Sequence, residues 1–143
     1  MQDIATLNDL IQKTIPLSRA LQFNIVELSP DRIETYAPLQ PNLNLHGTGF
    51  AGSQYSLAML TAWALLTHIL AIHNIDADVV AADASIRYKS PLSTDIVCKS
   101  CVDESEVAGL LVALDRKGRA RLPLNVKVND AASMQANMVA ILK

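Results

Sequence analysis

The spacing of hydrophobic positions changes several times along the chain, and each change marks an element. Ile4, Leu7, Leu10 and Ile11 recur at helical spacing between Asp3 and Thr14, with Pro16 stopping the run, which predicts a short amphipathic helix acting as a lid or flank. Gln22 to Leu28 alternates at period two, Ser29-Pro30-Asp31 supplies turn residues, and Arg32 to Ala37 alternates again, the pattern of a β-hairpin. A continuous apolar stretch from about Ala51 to His73 predicts a helix about 34 Å long. Beyond it, Val79 to Lys89 reads as a strand, Pro91 to Asp95 as a turn and Ile96 to Val102 as the returning strand. Ser105 is the expected cap of a short helix carrying Val107, Leu110, Leu111 and Leu114, which ends near Gly118. Arg119 to Val128 and Ser133 to Leu142 complete two more strands around an Asn129-Asp130 turn. No linker, repeat or low-complexity tract interrupts this order, so one α+β domain over residues 1–143 is expected.

The long helix lies inside a window, Thr35 to Ile75, that holds no Asp, Glu, Lys or Arg in 41 consecutive residues. A helix apolar on every face belongs in a membrane or in a protein core. Gln54, Thr61, Thr67 and His68 interrupt the apolar character and neither flank is basic, so a buried central helix is expected. Directly before it stands a polar, glycine-dense turn, Asn42 to Ser53. A helix start has unpaired N–H groups and a partial positive charge, so it can hold a carbonyl or an anion without a cationic side chain. Glycines in that turn let a ligand approach the backbone closely. The junction is therefore the expected functional site.

Composition narrows the partners. Half of the 143 residues are hydrophobic, enough for one domain to bury a core without a disulfide or a metal. A net charge of -2 provides no broad cationic face for nucleic acid or an anionic membrane, which leaves a small or acyl-type ligand. Met1-Gln2-Asp3-Ile4 onward lacks the marks of a signal or transit peptide, so a cytoplasmic location is expected.

Several motifs point elsewhere and fail on context. Gly47-Thr48-Gly49-Phe50-Ala51-Gly52 is a literal G-x-G-x-x-G, but Pro41, Asn42, Asn44 and His46 precede it where a dinucleotide fold needs a buried strand. Asp83 also lies 31 residues past Gly52, where about 20 is usual, and the later strands follow one another without crossover helices. Cys98 and Cys101 would face opposite sides of a strand, and no second pair completes a zinc site. His68 and His73 are about 140° apart on a helix and cannot share one metal. Ser53 sits in Gly52-Ser53-Gln54-Tyr55, not in the G-x-S-x-G elbow of a serine hydrolase. The four cations between Arg116 and Arg121 are read first as a solvated helix end and second as an arm for a phosphate-bearing ligand.

On these residues the chain resembles a hotdog-fold thioesterase, a long central helix wrapped by a curved antiparallel sheet. Asn44-Leu45-His46-Gly47-Thr48-Gly49-Phe50-Ala51-Gly52-Ser53 is similar to the signature of the thioesterase domain forming the C-terminal half of YiiD-type proteins. Tyr88-Lys89-Ser90-Pro91-Leu92 resembles the strand and turn that follow the helix in that fold. Phenylacetate-pathway hotdog thioesterases differ. With their Asn on Asn44, their His falls on Phe50, their second Gly on Gly52 and their helix acid on Met59.

The resemblance implies hydrolysis of an acyl thioester of coenzyme A or acyl carrier protein, with no cofactor and no metal. The N–H groups of Gly52 and Ser53 would hold the oxyanion and Asn44 would orient water, with His46 or Asp83, the latter from a second subunit, as the base. Met59 and Trp63 would line an acyl tunnel, and Thr48, Phe50, Gln54, Arg87, Lys89 and Arg119 would contact substrate. A homodimer or dimer of dimers is implied. The alternative is a non-catalytic domain that binds acyl-CoA as a sensor, which the missing helix acid favours.

Overall fold

The computed structural model describes residues 3–143. Helix α1 (Ile4–Thr14) starts where Asp3 accepts the Thr6 N–H at 2.8 Å, and it lays Leu7 and Ile11, both fully buried, against the first strand. Pro16 ends α1 but also opens a second helix that the sequence reading missed, α2 (Pro16–Leu21). Proline suits the first helical position because the N–H it lacks has no partner there. Gln22, the end cap of α2, takes a left-handed conformation (φ 56°), so strand β1 begins only at Asn24.

Six strands, β1 (Asn24–Ser29), β2 (Arg32–Ala37), β3 (Ala77–Tyr88), β4 (Ile96–Cys101), β5 (Arg119–Val128) and β6 (Ala132–Leu142), form one antiparallel sheet. Their order is β1-β2-β4-β5-β6-β3. Alternate residues face inward, as in β5, where Ala120, Leu122, Leu124, Val126 and Val128 are buried and every residue between them is exposed. The inward faces of β2 to β6 wrap α3 (Ala51–Ile72), whose Leu57, Leu65, Leu66 and Ile69 are buried to 1% exposure or less. Each such side chain contributes roughly 1.5–3 kcal/mol by leaving water. With a mean hydropathy of 1.6, α3 is long and apolar enough to cross a membrane, yet here it forms the centre of the core. A long helix wrapped by an antiparallel sheet is the α+β hotdog fold.

Among the described residues the other long helix is α4 (Glu104–Lys117), which packs on β5. Its cap is Asp103 and not Ser105, because Asp103 with Glu106 forms a reciprocal capping box while Ser105 lies within the first turn. Gly118 ends α4 in the left-handed region (φ 72°), where glycine has no Cβ to clash. Cys98 and Cys101 lie on opposite faces: Cys101 is exposed, and Cys98 is buried beside Thr35 and Thr61. Burial pushes the Cys98 thiol up to about 12, so it is an inert core residue. Strand β3 is one edge of the sheet. Its outer hydrogen-bonding side is unpaired, and Val80 and Tyr88 are 45% and 43% exposed.

Candidate active site

The turn before α3 is built around one side chain. Asn44 accepts the N–H groups of His46 (2.9 Å) and Thr48 (3.0 Å) on Oδ1 and donates from Nδ2 to Thr48 Oγ1 (2.8 Å). Its backbone N–H also meets the Thr48 carbonyl at 2.7 Å, and Gly47 takes a left-handed φ of 79° so that the loop can close. Asn44 therefore shapes the loop, and its amide is committed there. Gly49 is buried, donates to the Leu92 carbonyl at 2.7 Å, and sits where a side chain would be tight, since a Cβ would lie 3.2 Å from that of Leu92. Asn42, also buried, donates from Nδ2 to the Leu21 and Pro38 carbonyls and fixes the loop to α2.

This loop delivers the chain into α3 without a cap. Phe50 occupies the capping position and has no side-chain acceptor, and the first turn contains no acidic residue. The first helical backbone bond runs from Gln54 N–H to the Phe50 carbonyl at 3.0 Å. The N–H groups of Ala51, Gly52 and Ser53 have no partner among the described residues. They constitute a preformed set of donors at the positive end of a 22-residue helix.

Two further groups frame that end. Gln54, 4% exposed, turns its amide back toward the loop, donates from Nε2 to the Gly49 carbonyl at 3.0 Å, and has its Oε1 buried without a partner. The Phe50 ring lies against Gly52, where a Cβ would come within 2.5 Å of Phe50 Cε2. Glycine at position 52 thus makes room for the protein's own aromatic ring. Tyr88, at the end of β3, donates its hydroxyl to the Ala51 carbonyl at 2.8 Å, and burial together with nearby Tyr55 raises its pKa. The surrounding surface is apolar: Leu45 is 96% exposed and Phe50 52%.

The remaining expected site residues divide between this end of α3 and other places. His46 is exposed on the loop, close in sequence to Asn44. Met59 and Trp63 are half-buried against the core, and Trp63 Nε1 donates to the Val79 carbonyl at 3.3 Å, locking α3 to β3. Asp83 faces the outside of the sheet, where Asn137 Nδ2 donates to it. A β-bulge between Ala81 and Asp83 causes this: uninterrupted alternation from Val79 would turn Asp83 inward. Arg87 and Lys89 are exposed near the same end of β3 as Tyr88, whereas Arg119 is at the opposite end of β5, paired with Ile141. Within this chain the structure brings together Asn44, His46, Thr48, Phe50, Gly52, Ser53 and Gln54, and leaves Asp83 and Arg119 apart from them.

The family described as "Putative thioesterase (yiiD_Cterm)" matches residues 4–139. The chain belongs to this family. A "putative thioesterase" from Shewanella oneidensis is 31% identical, with 96% of each chain covered and a TM-score of 0.88. Two less identical structures share the fold. A Chlorobaculum tepidum protein of unknown function has 24% identity, a TM-score of 0.93 and coverage of 97% of this chain and 94% of its own. A Pseudomonas aeruginosa protein described as a probable thioesterase has 19% identity, a TM-score of 0.86 and coverage of 99% and 97%. Family membership supports thioester hydrolysis as the reaction class.

The dinucleotide pattern has no such support in the structure. A 3-10 turn (Gln40–Asn42), not a buried strand, precedes its first glycine, and every strand pair is antiparallel. Among the described residues, no group of three or more His, Cys, Asp or Glu side chains could hold a metal. Sequence reasoning named Gln54 only as a contact residue. Its buried free oxygen emerges only from the folded position of the amide.

Proposed function

We propose that the protein hydrolyses acyl thioesters of coenzyme A or acyl carrier protein at the start of α3. The uncapped first turn carries the proposal. A thioester carbonyl directed at the Gly52 and Ser53 N–H groups is polarised, and negative charge on that oxygen after attack is stabilised by donors that are already in place. Gln54, whose Oε1 is buried, ties the helix start to the Gly49 carbonyl through Nε2, and the attacking water keeps one of its protons on the oxygen that bonds to the carbonyl carbon. His46, on the loop that Asn44 shapes, takes the second proton, and the thiol leaves with that proton. Asp83 can replace His46 only from a second copy, because in this chain it faces the outer side of the sheet.

We further propose a homodimer or a dimer of dimers. Leu45, Phe50, Val80 and Tyr88 are apolar surface beside an edge strand of 12 residues, the kind of surface that a second copy covers. A light-scattering mass of two or four times 15.5 kDa supports this, and a mass of 15.5 kDa contradicts it.

A second reading has one observation in its favour. Met59 stands where phenylacetate-pathway relatives carry their helix acid, which suits a domain that binds an acyl thioester without cleaving it. Release of free thiol from a panel of acyl-CoA and acyl carrier protein thioesters separates the two. Hydrolysis supports the enzyme, and saturable binding without thiol release supports the sensor.

A further inference from the structure

On the outer face of the sheet, strand register lines up side chains that are distant in sequence. Glu34 pairs with Lys99, Lys99 with Lys127, Lys127 with Ser133, and Ser133 with Arg87, one from each of β2, β4, β5, β6 and β3 in turn. Directly opposed residues on one face are about 4.5–5.5 Å apart at Cβ, and like charges so placed repel. Lys99 is matched by Glu34 at 3.4 Å. Neither Lys127 nor Arg87 forms an ion pair among the described residues, and nearby Asp130 reaches no ion-pair contact. Lys127 therefore faces Lys99 across the strands with no carboxylate of its own.

Centred on Ser133 is an open depression of about 660 Å³ whose rim carries Arg87, Lys89 and Lys127, with Gln135 and Asn125 beside them and no carboxylate in its lining. Lys89 is held there by its backbone N–H, which meets the Ala131 carbonyl at 2.7 Å. Three cations, the hydroxyls of Ser85 and Ser133 and two amides form a donor set for a phosphate ester. The location connects it with the active site. Arg87 and Lys89 flank Tyr88, and Tyr88 contacts the Ala51 carbonyl at the helix start. Consecutive strand residues face opposite sides, so the depression and the donors at α3 lie on the two sides of one end of an edge strand.

We propose that this outer-face depression binds the phosphate-bearing end of the thioester carrier, whose extended arm passes around the end of β3 to the start of α3. Only the identity of the ligand rests on the thioesterase reading; the anion site itself rests on the charge arrangement.

The test uses the full chain with Lys127→Glu, and Lys127→Gln should the first fail to fold. Adenosine 3′,5′-bisphosphate and 4′-phosphopantetheine are titrated calorimetrically. At least one binds the wild type, and the substitution weakens it by about tenfold or more, as expected for loss of one charged hydrogen bond. Binding of the bisphosphate identifies the nucleotide end of coenzyme A, and binding of phosphopantetheine alone identifies the phosphate that carrier proteins share. In turnover, the preference for acyl-CoA over the phosphate-free acyl-N-acetylcysteamine, as a ratio of kcat/KM, falls by the same factor. If neither probe binds the wild type, or binding is indifferent to Lys127, the site is overturned even where acyl-N-acetylcysteamine is cleaved. If no thioester is cleaved but Lys127-dependent binding persists, the anion site stands and the hydrolase reading falls.

Discussion

Two helices of this chain begin in opposite ways. At the start of α4, Asp103 accepts the Glu106 N–H at 2.8 Å, Glu106 returns the bond to the Asp103 N–H at 3.1 Å, and Ser105 donates to Asp103 at 2.7 Å. The Glu106 N–H, with Ser105, holds the Asp103 carboxyl below its ordinary pKa. At the start of α3, Phe50 replaces the capping residue and three N–H groups have no partner among the described residues. A suitable cap is worth about 0.5–2 kcal/mol, so its omission from the longest helix costs stability. That omission occurs where the family resemblance locates the chemistry, and none of the expected site residues stands at the capped start. Under the proposed function the unused donors, more than the glycines around them, mark the site.

The strongest way to break the contrast is to cap α3. Phe50→Asp supplies a carboxylate for the free N–H groups, and we expect stability in urea to rise by about 1 kcal/mol. Turnover of the best thioester should fall about a hundred- to a thousandfold, the usual loss with an oxyanion donor. Phe50→Ala, which removes the ring and adds no acceptor, serves as the control and should retain most activity. A capped variant that stays fully active would mean that these donors are not used.

Gly52→Ala sharpens the same comparison from the other side. Its methyl would lie 2.5 Å from Phe50 Cε2, so the half-exposed ring must swing aside at the helix start, and a loss of about tenfold in rate is expected. The Gly52→Ala/Phe50→Ala double variant should recover much of that loss. Equal activity of the single and double variants would show that ring displacement is not what limits the rate.

At α4 the opposite outcome is expected. Asp103→Ala should lower the urea midpoint by an amount equivalent to about 1 kcal/mol and leave kcat and KM unchanged. A change in either kinetic constant would link α4 to the site.

The smallest effect concerns the far end of α3. His68 is 5% exposed, and burial lowers its pKa below the ordinary 6.5. The unfolded chain then takes up the proton first, so stability falls as pH drops from about 6.5 toward the lower folded value and is level beneath it. Urea midpoints at several pH values should show this slope, and His68→Gln should flatten it. An unchanged slope would assign the pH dependence to other groups.

The chain's pattern made most of the scaffold legible. The expected bounds of α3 differ from the observed ones by one residue, because nothing interrupts its apolar character, and strict alternation located β5 completely. Where one residue type has two uses, the pattern misled: Pro16 both ends α1 and opens α2, and Ser105 suits a cap that Asp103 supplies. At the site, the loop and helix start were visible as a change from polar glycine-rich sequence to uncharged helix. The geometry that decides roles was not. The commitment of the Asn44 amide to its own loop, the Phe50 ring on Gly52 and the outward turn of Asp83 at a bulge all depend on backbone conformation. Lys127 was invisible as part of one patch with Arg87 because only strand register sets the two on either side of Ser133.

The central claim is that the uncapped N–H groups of α3 receive the thioester carbonyl. It is tested most directly by amide resonances of the isotopically labelled protein, titrated with a ketone analogue of an acyl-CoA in which a methylene replaces the sulfur. The account predicts downfield shifts and slowed exchange for the Gly52 and Ser53 amide protons, with those of Glu104, Ser105 and Glu106 at the capped start of α4 unmoved. Saturable binding that leaves the Gly52 and Ser53 amides unchanged would contradict it.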